Sequence, residues 1–485
     1  MSDRMEGTVE PGAVVPPDAI PALRRNLAYG GLIMVILMTN LDTSIVNVAL
    51  PQLSRTLGAT PQNTVWVTTV YLLTVGAAVP AAASVGDQIG RRRLFLAGVP
   101  AFTLASLGCA LSNTLGLLIA FRATQGLGAA MIFATVIPIM RMLFPPERMG
   151  VIFGVNAMAT ALGMCAGPTL GGLILVRATW PWLFLINVPV GVIAWCLGAY
   201  GVPRHTPPRG RYDLLGALTI ACAITAFLLG MHQLADPAGW WLAALLLVIA
   251  AGLVAGFVRA EKAAANPVLP PSIWNGVFSL SVTTAFATFF GQGVAFVALP
   301  FLFQSAYGAS PLRSALLFTP WPAVIVIIGP IAGRLADRVR PSVLALVGLV
   351  IFTAGLICLA TLGDHPSLVL VLACTALAGA GFGLFQSPNN KEMQGAVPLR
   401  HAGAGAAVLN LNRSVAQSAG SGAVSMALVL AGAGVGAVAE EARAATSVLW
   451  VGVAGAALAV VGSAAKLRTV LRDERTGPIP VPLPA

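Results

Sequence analysis

Three ionisable side chains stand inside long apolar runs of this 485-residue sequence: Asp42 in "NLDTSIVNVALP" (40–51), Arg122 in "FRATQGLGAAM" (121–131) and Arg413 in "LNLNRSVAQSAG" (409–420). A carboxylate can take up and release a proton, whereas an arginine stays charged. A charge at the centre of a bilayer costs about 2.5–3.5 kcal/mol even on the lenient insertion scale, so each of these residues needs a partner, a wet cavity or a task. Asp42 has no cation near it in sequence. If the first helix leaves the bilayer near residue 50 and the fourth enters from the same side near 115, Asp42 lies about 12 Å and Arg122 about 10 Å deep at 1.5 Å per residue. The matched depths make Arg122 the expected partner of Asp42, as a fixed structural ion pair or as a site whose charge changes in use. Arg413 has no acid on its own helix. It is expected to face a wet cavity, to hold an anionic group or to hydrogen-bond helix carbonyls. Tyr71, Gln125, Gln292 and Gln304 are further candidates for cavity contacts, and no carboxylate besides Asp42 is expected deep in the helices.

The elements that position these residues follow from composition. The chain is 57% hydrophobic and 9% charged, against roughly 25% charged in soluble domains. Hydropathy and breaks divide it into fourteen apolar stretches: 28–50, 64–86, 94–113, 115–140, 150–176, 181–202, 213–234, 239–259, 275–303, 314–335, 342–363, 367–388, 403–430 and 446–465. Each is about long enough to cross a bilayer as a helix. The expected fold class is therefore an all-α polytopic membrane protein. The net charge of +11 does not point to nucleic acid. With alternating loops, 22 of the 28 Lys and Arg fall on one side, 4 on the other (Arg55, Arg177, Arg313, Arg443) and 2 within helices. The positive-inside rule then places both termini in the cytoplasm. Arg outnumbers Lys 25 to 3, which with abundant Ala and Gly is the composition expected from a GC-rich bacterial genome, and the expected location is the bacterial cell membrane.

Several function classes are disfavoured. The six cysteines all lie in apolar segments and read as small core residues, neither a disulfide framework nor a metal site. The four histidines show no ligand spacing, so no metal is expected. None of the three lysines follows a phosphate-loop glycine pattern, which argues against a nucleotide-driven pump. No histidine–carboxylate constellation suggests a membrane-embedded enzyme.

An internal repeat sets the domain organisation. Pro80 and Asp87 in "PAAASVGDQIGR" match Pro330 and Asp337 in "PIAGRLADRVRP" at an offset of 250, and "VALP" recurs at 48–51 and 297–300. Two six-helix bundles are expected, 28–202 and 275–466, with a 203–274 segment carrying two inserted helices between them and polar tails at 1–27 and 467–485. Parallel six-helix repeats are a transporter architecture with the cargo site between the halves. In "GDQIGRRRLF" (86–95), Gly90 permits a tight turn and Asp87 can accept from the first N–H groups of a neighbouring helix. Arg91 can bind nearby carboxylates or lipid phosphates. In "GMCAGPTLGG" (163–172), Gly163, Gly167 and Gly171 share one helix face that lets another helix approach closely, and Pro168 can set a kink.

These strings resemble the major facilitator superfamily, and in particular its fourteen-span drug:proton antiporters of the EmrB/QacA type. "LDTSIVNVALP", "GDQIGRRR", "RATQGLGAA" and "GMCAGPTLGG" are similar to that family's motifs of the first helix, the second loop, the fourth helix and the fifth helix. "WPWLFLINVPVG" (180–191) and "LFQSPNN" (384–390) are similar to family strings as well. The resemblance implies the major facilitator fold and export of drugs or other amphipathic molecules by alternating access, contributing to antibiotic resistance. It implies coupling to a proton gradient with no cofactor, and function as a monomer among membrane lipids. Asp42 and Arg122 would couple protons. Asp87, Gly90 and Arg91 would form a conformational latch, with Asp337 and Arg338 its second copy. Gly163, Gly167, Pro168, Gly171 and Gly172 would form the antiporter motif. Gln88, Ala83 and Arg340 depart from the latch pattern. The missing deep acids make cationic cargo doubtful, and a proton-coupled carrier of a specific metabolite is the rival reading.

Overall fold

Apolar runs become helices here because every backbone N–H and C=O must be satisfied internally in lipid. The structure, a computed structural model, describes residues 20–145, 148–203, 214–233, 239–263, 271–363, 366–397, 402–434 and 437–476. The first half holds α1 (Ala22–Thr56), α2 (Trp66–Ile89), α3 (Arg91–Ala110), α4 (Leu115–Leu143), α5 (Met149–Arg177) and α6 (Asn187–Gly201). Then come α7 (Leu214–Gln233) and α8 (Trp240–Ala263). The second half holds α9 (Gly276–Phe301), α10 (Pro320–Leu335), α11 (Pro341–Ala360), α12 (Leu368–Gly395), α13 (Ala402–Leu430) and α14 (Val438–Thr476). Short helical turns lead into α2, α6 and α10, and a π-helical turn, Leu302–Ala306, closes α9. Among the described residues there is no strand.

Among the described residues, twelve helical segments are long and apolar enough to cross a membrane. The expected seventh and thirteenth positions are helical too, but α7 is a shorter apolar helix and α13 does not stand among the twelve. In α13 the reason is composition: Asn410, Asn412, Arg413, Gln417 and four serines interrupt the apolar run. Helix starts follow side-chain caps: Thr114 accepts from Leu117 N–H, Asn275 from Phe278 N–H and Ser367 from Leu370 N–H. The α2–α3 connection is a single residue, Gly90, at φ 99°. Only glycine occupies that backbone region freely. Helices α1 and α14 overrun their apolar cores at the Ala22 and Thr476 ends, and α12 continues through Pro388 to Gly395, because charged turns remain helical where they reach the headgroup level.

Both described ends, at Ala22 and Thr476, lie on one face of the bundle, here the near face; Thr56 lies on the far face. On the far face the two halves share one apolar core, which joins Ile45, Ala49 and Leu53 of α1 to Phe296, Leu299 and Phe318 of the second half. Hydroxyls and an amide stitch the same seam. Thr69 pairs with Ser421 at 2.8 Å, Thr169 with Thr319 at 2.8 Å, and Gln304 donates to the Val48 carbonyl at 2.9 Å. On the near face the halves keep separate cores, Leu32, Phe95 and Met140 in one, Phe278 and Met393 in the other. The inserted α7 packs on α2 and α13 across the seam, and α8 packs on α7 with Trp240, Trp241 and Val248 facing outward. Exposed aromatic and aliphatic side chains of this kind face lipid in a membrane protein.

The glycine face of α5 fits against α1. A Cβ at Gly163 would lie 2.7 Å from the Leu37 carbonyl oxygen, one at Gly167 would overlap the Ser44 hydroxyl, and one at Gly171 would lie 2.9 Å from Ile45. Gly172 points the other way, across the seam, where a Cβ would lie 2.8 Å from Ala315 of the second half. Pro168 is buried in the same helix. One cysteine pair differs from expectation. Cys358 and Cys374 are bonded as a disulfide between α11 and α12, because antiparallel neighbours bring residues 16 apart in sequence face to face.

We predict that Gly167→Leu lowers the stability of the purified protein by roughly 1–3 kcal/mol, the usual cost of overpacking. Gly252→Ala, on an open face of α8, should leave it unchanged or slightly raised. Unfolding in detergent checks this, and equal effects at the two positions would mean that α1 and α5 are not in such close contact.

Candidate functional site

Asp42 sits in the middle of α1 with no exposure to solvent. Four other helices, α2, α3, α4 and α6, supply the residues around it. From α4, Arg122 donates to Asp42 Oδ2 at 2.5 Å and Gln125 donates to Oδ1 at 2.9 Å. From the start of α6, Asn187 donates to Oδ1 at 2.7 Å. Behind them, Gln125 donates to Ser106 of α3 at 2.6 Å. Arg122 is itself held by the Val67 carbonyl at 3.0 Å and by Gln125 Oε1 at 2.6 Å, and its guanidinium lies 4.2 Å from the Tyr71 ring centroid. A carboxylate with three side-chain donors and a cation stacked on an aromatic face satisfies most of what burial takes away. One guanidinium nitrogen, Arg122 Nη2, has no acceptor. The arrangement can exchange one proton at Asp42, and doing so would remove the counter-charge of Arg122.

Tyr71 separates this cluster from a cavity between the halves. The cavity has a volume of about 40 Å³ and is walled by α1, α2, α4 and α5 on one side and by α9 and α13 on the other. At roughly 10–15 Å³ per water it holds about three waters, far below the roughly 300–1,000 Å³ of a drug site. The halves must therefore move apart to admit cargo. Asn40, Thr43, Asn47, Thr68, Tyr71 and Gln417 give it polarity, and Arg413 gives it its one charge among the described lining residues. Leu72, Val75, Phe133, Met164 and Phe296 supply apolar wall.

The other residues singled out by sequence are distributed as follows. Gln125 belongs to the Asp42 cluster and not to the cavity wall. Gln292 stands behind the wall, accepting from Gln417 at 2.9 Å. Gln304 lies in the far-face seam. The Asp87 side chain lies outside the described residues, whereas Gly90 forms the α2–α3 turn that leads into Arg91. Next to it, Arg92 donates to the Val202 and Ala199 carbonyls at 2.8 and 2.7 Å, capping the end of α6. In the second half Asp337 pairs with Lys391 of α12 at 2.5 Å, and Arg338 is exposed.

Sequence reasoning missed two members of the Asp42 cluster, Asn187 and Ser106. Asn187 carried a signal, as an amide within the apolar run 181–202; Ser106 carried none. Two further carboxylates are largely buried, though neither lies deep in the helices as Asp42 does. Glu392 pairs with the fully buried Lys466 at 2.7 Å near the near face, and Glu441, 2% exposed, accepts from Ser305 at 2.5 Å near the far face. Both stand near helix ends that overrun the apolar cores, where hydropathy reads loop.

A bundle of membrane-spanning helices in two halves, with a cavity on the seam between them, has the architecture of a transporter. The family model of the Major Facilitator Superfamily matches residues 32–421, and the chain belongs to that superfamily. It is 35% identical over 399 residues to the uncharacterized transporter YebQ of Escherichia coli, covering 80% of this chain and 86% of that one. It is 31% identical to the riboflavin transporter RibZ of Clostridioides difficile, covering 76% and 81%. It is also 31% identical to the multidrug resistance protein Stp of Mycobacterium tuberculosis, covering 77% and 69%. Among solved structures, an inward-facing bacterial homologue of the human lysosomal transporter Spinster superposes with a TM-score of 0.68 at 16% identity, covering 95% of this chain and all of that one. The likeness is one of fold.

Removing one partner of a buried ion pair typically costs about 3–5 kcal/mol, because the other charge is left uncompensated. Arg122→Gln is therefore expected to destabilise the purified protein on that scale. The double variant Asp42→Asn, Arg122→Gln should lose much less than the sum of the two single losses. Strictly additive losses in unfolding experiments would show that the two charges are not coupled.

Proposed function

We propose that this transporter is a proton-coupled antiporter of the fourteen-span EmrB/QacA type, exporting amphipathic small molecules from the cytoplasm, with the near face cytoplasmic. The observation that carries the reading is the Asp42–Arg122 pair, fully buried yet next to the cavity, with Tyr71 stacked on Arg122 and lining the cavity wall. A titratable carboxylate held at mid-membrane is a functional group by default. Protonation of Asp42 from outside neutralises it and leaves Arg122 with the Val67 carbonyl, Gln125 and the Tyr71 ring. The Tyr71 side chain, which is cavity wall on one side and stacking partner on the other, then passes the change to the cargo site. The result is a shift in population between two packings of the halves.

The far-face seam, with its shared core and hydroxyl pairs, suits a state open to the near face once the separate near-face cores part. The multidrug resistance protein Stp among the relatives supports a broad amphipathic cargo, and the tight Gly90 turn into Arg91 suits a latch between α2 and α3. The riboflavin transporter RibZ favours the rival reading, a carrier dedicated to one metabolite.

In everted membrane vesicles with an inward-acid gradient, a cargo compound from a panel of dyes, biocides and natural-product antibiotics should discharge the gradient. Asp42→Asn should slow the discharge by on the order of tenfold or more, which corresponds to at least about 1.4 kcal/mol. Equal discharge by both proteins would reject proton coupling through Asp42. Raised rather than lowered accumulation of cargo in cells would reject export.

A further inference from the structure

We infer that Arg413 forms an anion-binding subsite in the central cavity, so that the cargo is an amphipath bearing a carboxylate or a similar acidic group. The inference rests on the proposed transport of amphipathic cargo through this cavity and narrows its chemistry.

Charge accounting carries it. Asp42 is engaged by Arg122, Gln125 and Asn187 behind Tyr71, and it does not line the cavity. No aspartate or glutamate is among the lining residues. Glu392 and Glu441 are committed elsewhere, to Lys466 and to Ser305, towards opposite ends of the bundle. Among the described residues, Arg413 is thus the cavity's only charge, and it has no carboxylate or carbonyl acceptor. An arginine keeps its charge and offers five N–H donors in a planar fork suited to a carboxylate. A second group points to the same ligand. The Tyr71 hydroxyl, on a side chain 1% exposed that lines the cavity, lies beside the Thr43 hydroxyl but has no acceptor for its own proton. Buried polar groups are ordinarily satisfied, so an unpaired donor beside an unpaired cation marks a place kept for an acceptor.

The two groups belong to opposite halves, Tyr71 to α2 and Arg413 to α13. An anion bound between them would tie the halves together across the seam. The apolar side chains of Leu72, Val75, Phe133, Met164 and Phe296 would take the hydrophobic body. A cationic amphipath would instead meet the guanidinium with no carboxylate to offset it.

The test uses a matched dye pair, rhodamine B as the free acid and its ethyl ester, which differ by one carboxylate. Binding to the full-length protein in detergent is followed by fluorescence polarisation. Wild type should bind the acid roughly tenfold or more tightly than the ester, the scale of a charge-assisted hydrogen bond. Arg413→Gln should abolish that preference by weakening the acid alone, and Arg413→Lys should keep part of it. Should Arg413→Gln fail to fold, Tyr71→Phe carries the test, with a loss of a few-fold for the acid and none for the ester. A wild type that binds both dyes equally, or neither, overturns the subsite, as does a variant that loses both dyes in parallel. Proton flux in vesicles reads the antiport proposal separately. Acid preference without cargo-driven flux keeps the subsite and rejects antiport, and flux without acid preference does the reverse.

Discussion

Placing a carboxylate and a guanidinium where water cannot reach them costs several kcal/mol per ion, and only close pairing with further hydrogen bonds offsets it. Much of the first half is arranged around that requirement. Asp42 on α1, Ser106 on α3, Arg122 and Gln125 on α4 and Asn187 on α6 must all arrive within hydrogen-bond distance of one another. Four helices are held in register by one polar cluster inside an otherwise apolar bundle. Its satisfaction depends on the charge state of a single residue, Asp42. That makes the cluster a poor source of stability and a good place for a switch.

The seam between the halves is built differently. Its far-face ties are hydroxyl and amide hydrogen bonds between neutral groups, such as Thr69 with Ser421 and Thr169 with Thr319. Such bonds contribute about 0.5–1.5 kcal/mol each in net terms. An interface held by several weak neutral contacts can part and re-form, whereas one held by buried ion pairs would not. Charge is concentrated within a half and neutral contact is used between halves. Gly172 and Gly76 serve the same interface by letting backbone approach backbone, the former against Ala315 and the latter against Ser414.

The cavity joins these two systems. Tyr71 stacks on Arg122 and lines the cavity, so the proton site and the cargo site share a side chain. The sequence could suggest that both sites exist. It could not place Tyr71 between them, because residues 42, 71, 122 and 413 are related only through the packing of four separate helices.

What the sequence by itself determined is whatever hydropathy, local backbone chemistry and charge expense control. The helices lie where the apolar runs lie, the turn at Gly90 follows from a backbone that needs glycine, and the close α1–α5 contact follows from glycines spaced four apart. Even the partner of Asp42 could be named, because burying a lone charge is so costly that two matched depths leave few choices. The tertiary structure decided what depends on direction rather than position along a helix. Gln125 turned inward to Asp42 and away from the cavity, and Asn187 and Ser106 completed the cluster. Glu392 found Lys466 beyond the apolar core, and Cys358 met Cys374 across a helical hairpin. A helix fixes the rise of each residue at 1.5 Å, but the face it turns to its neighbours is set only when the bundle packs.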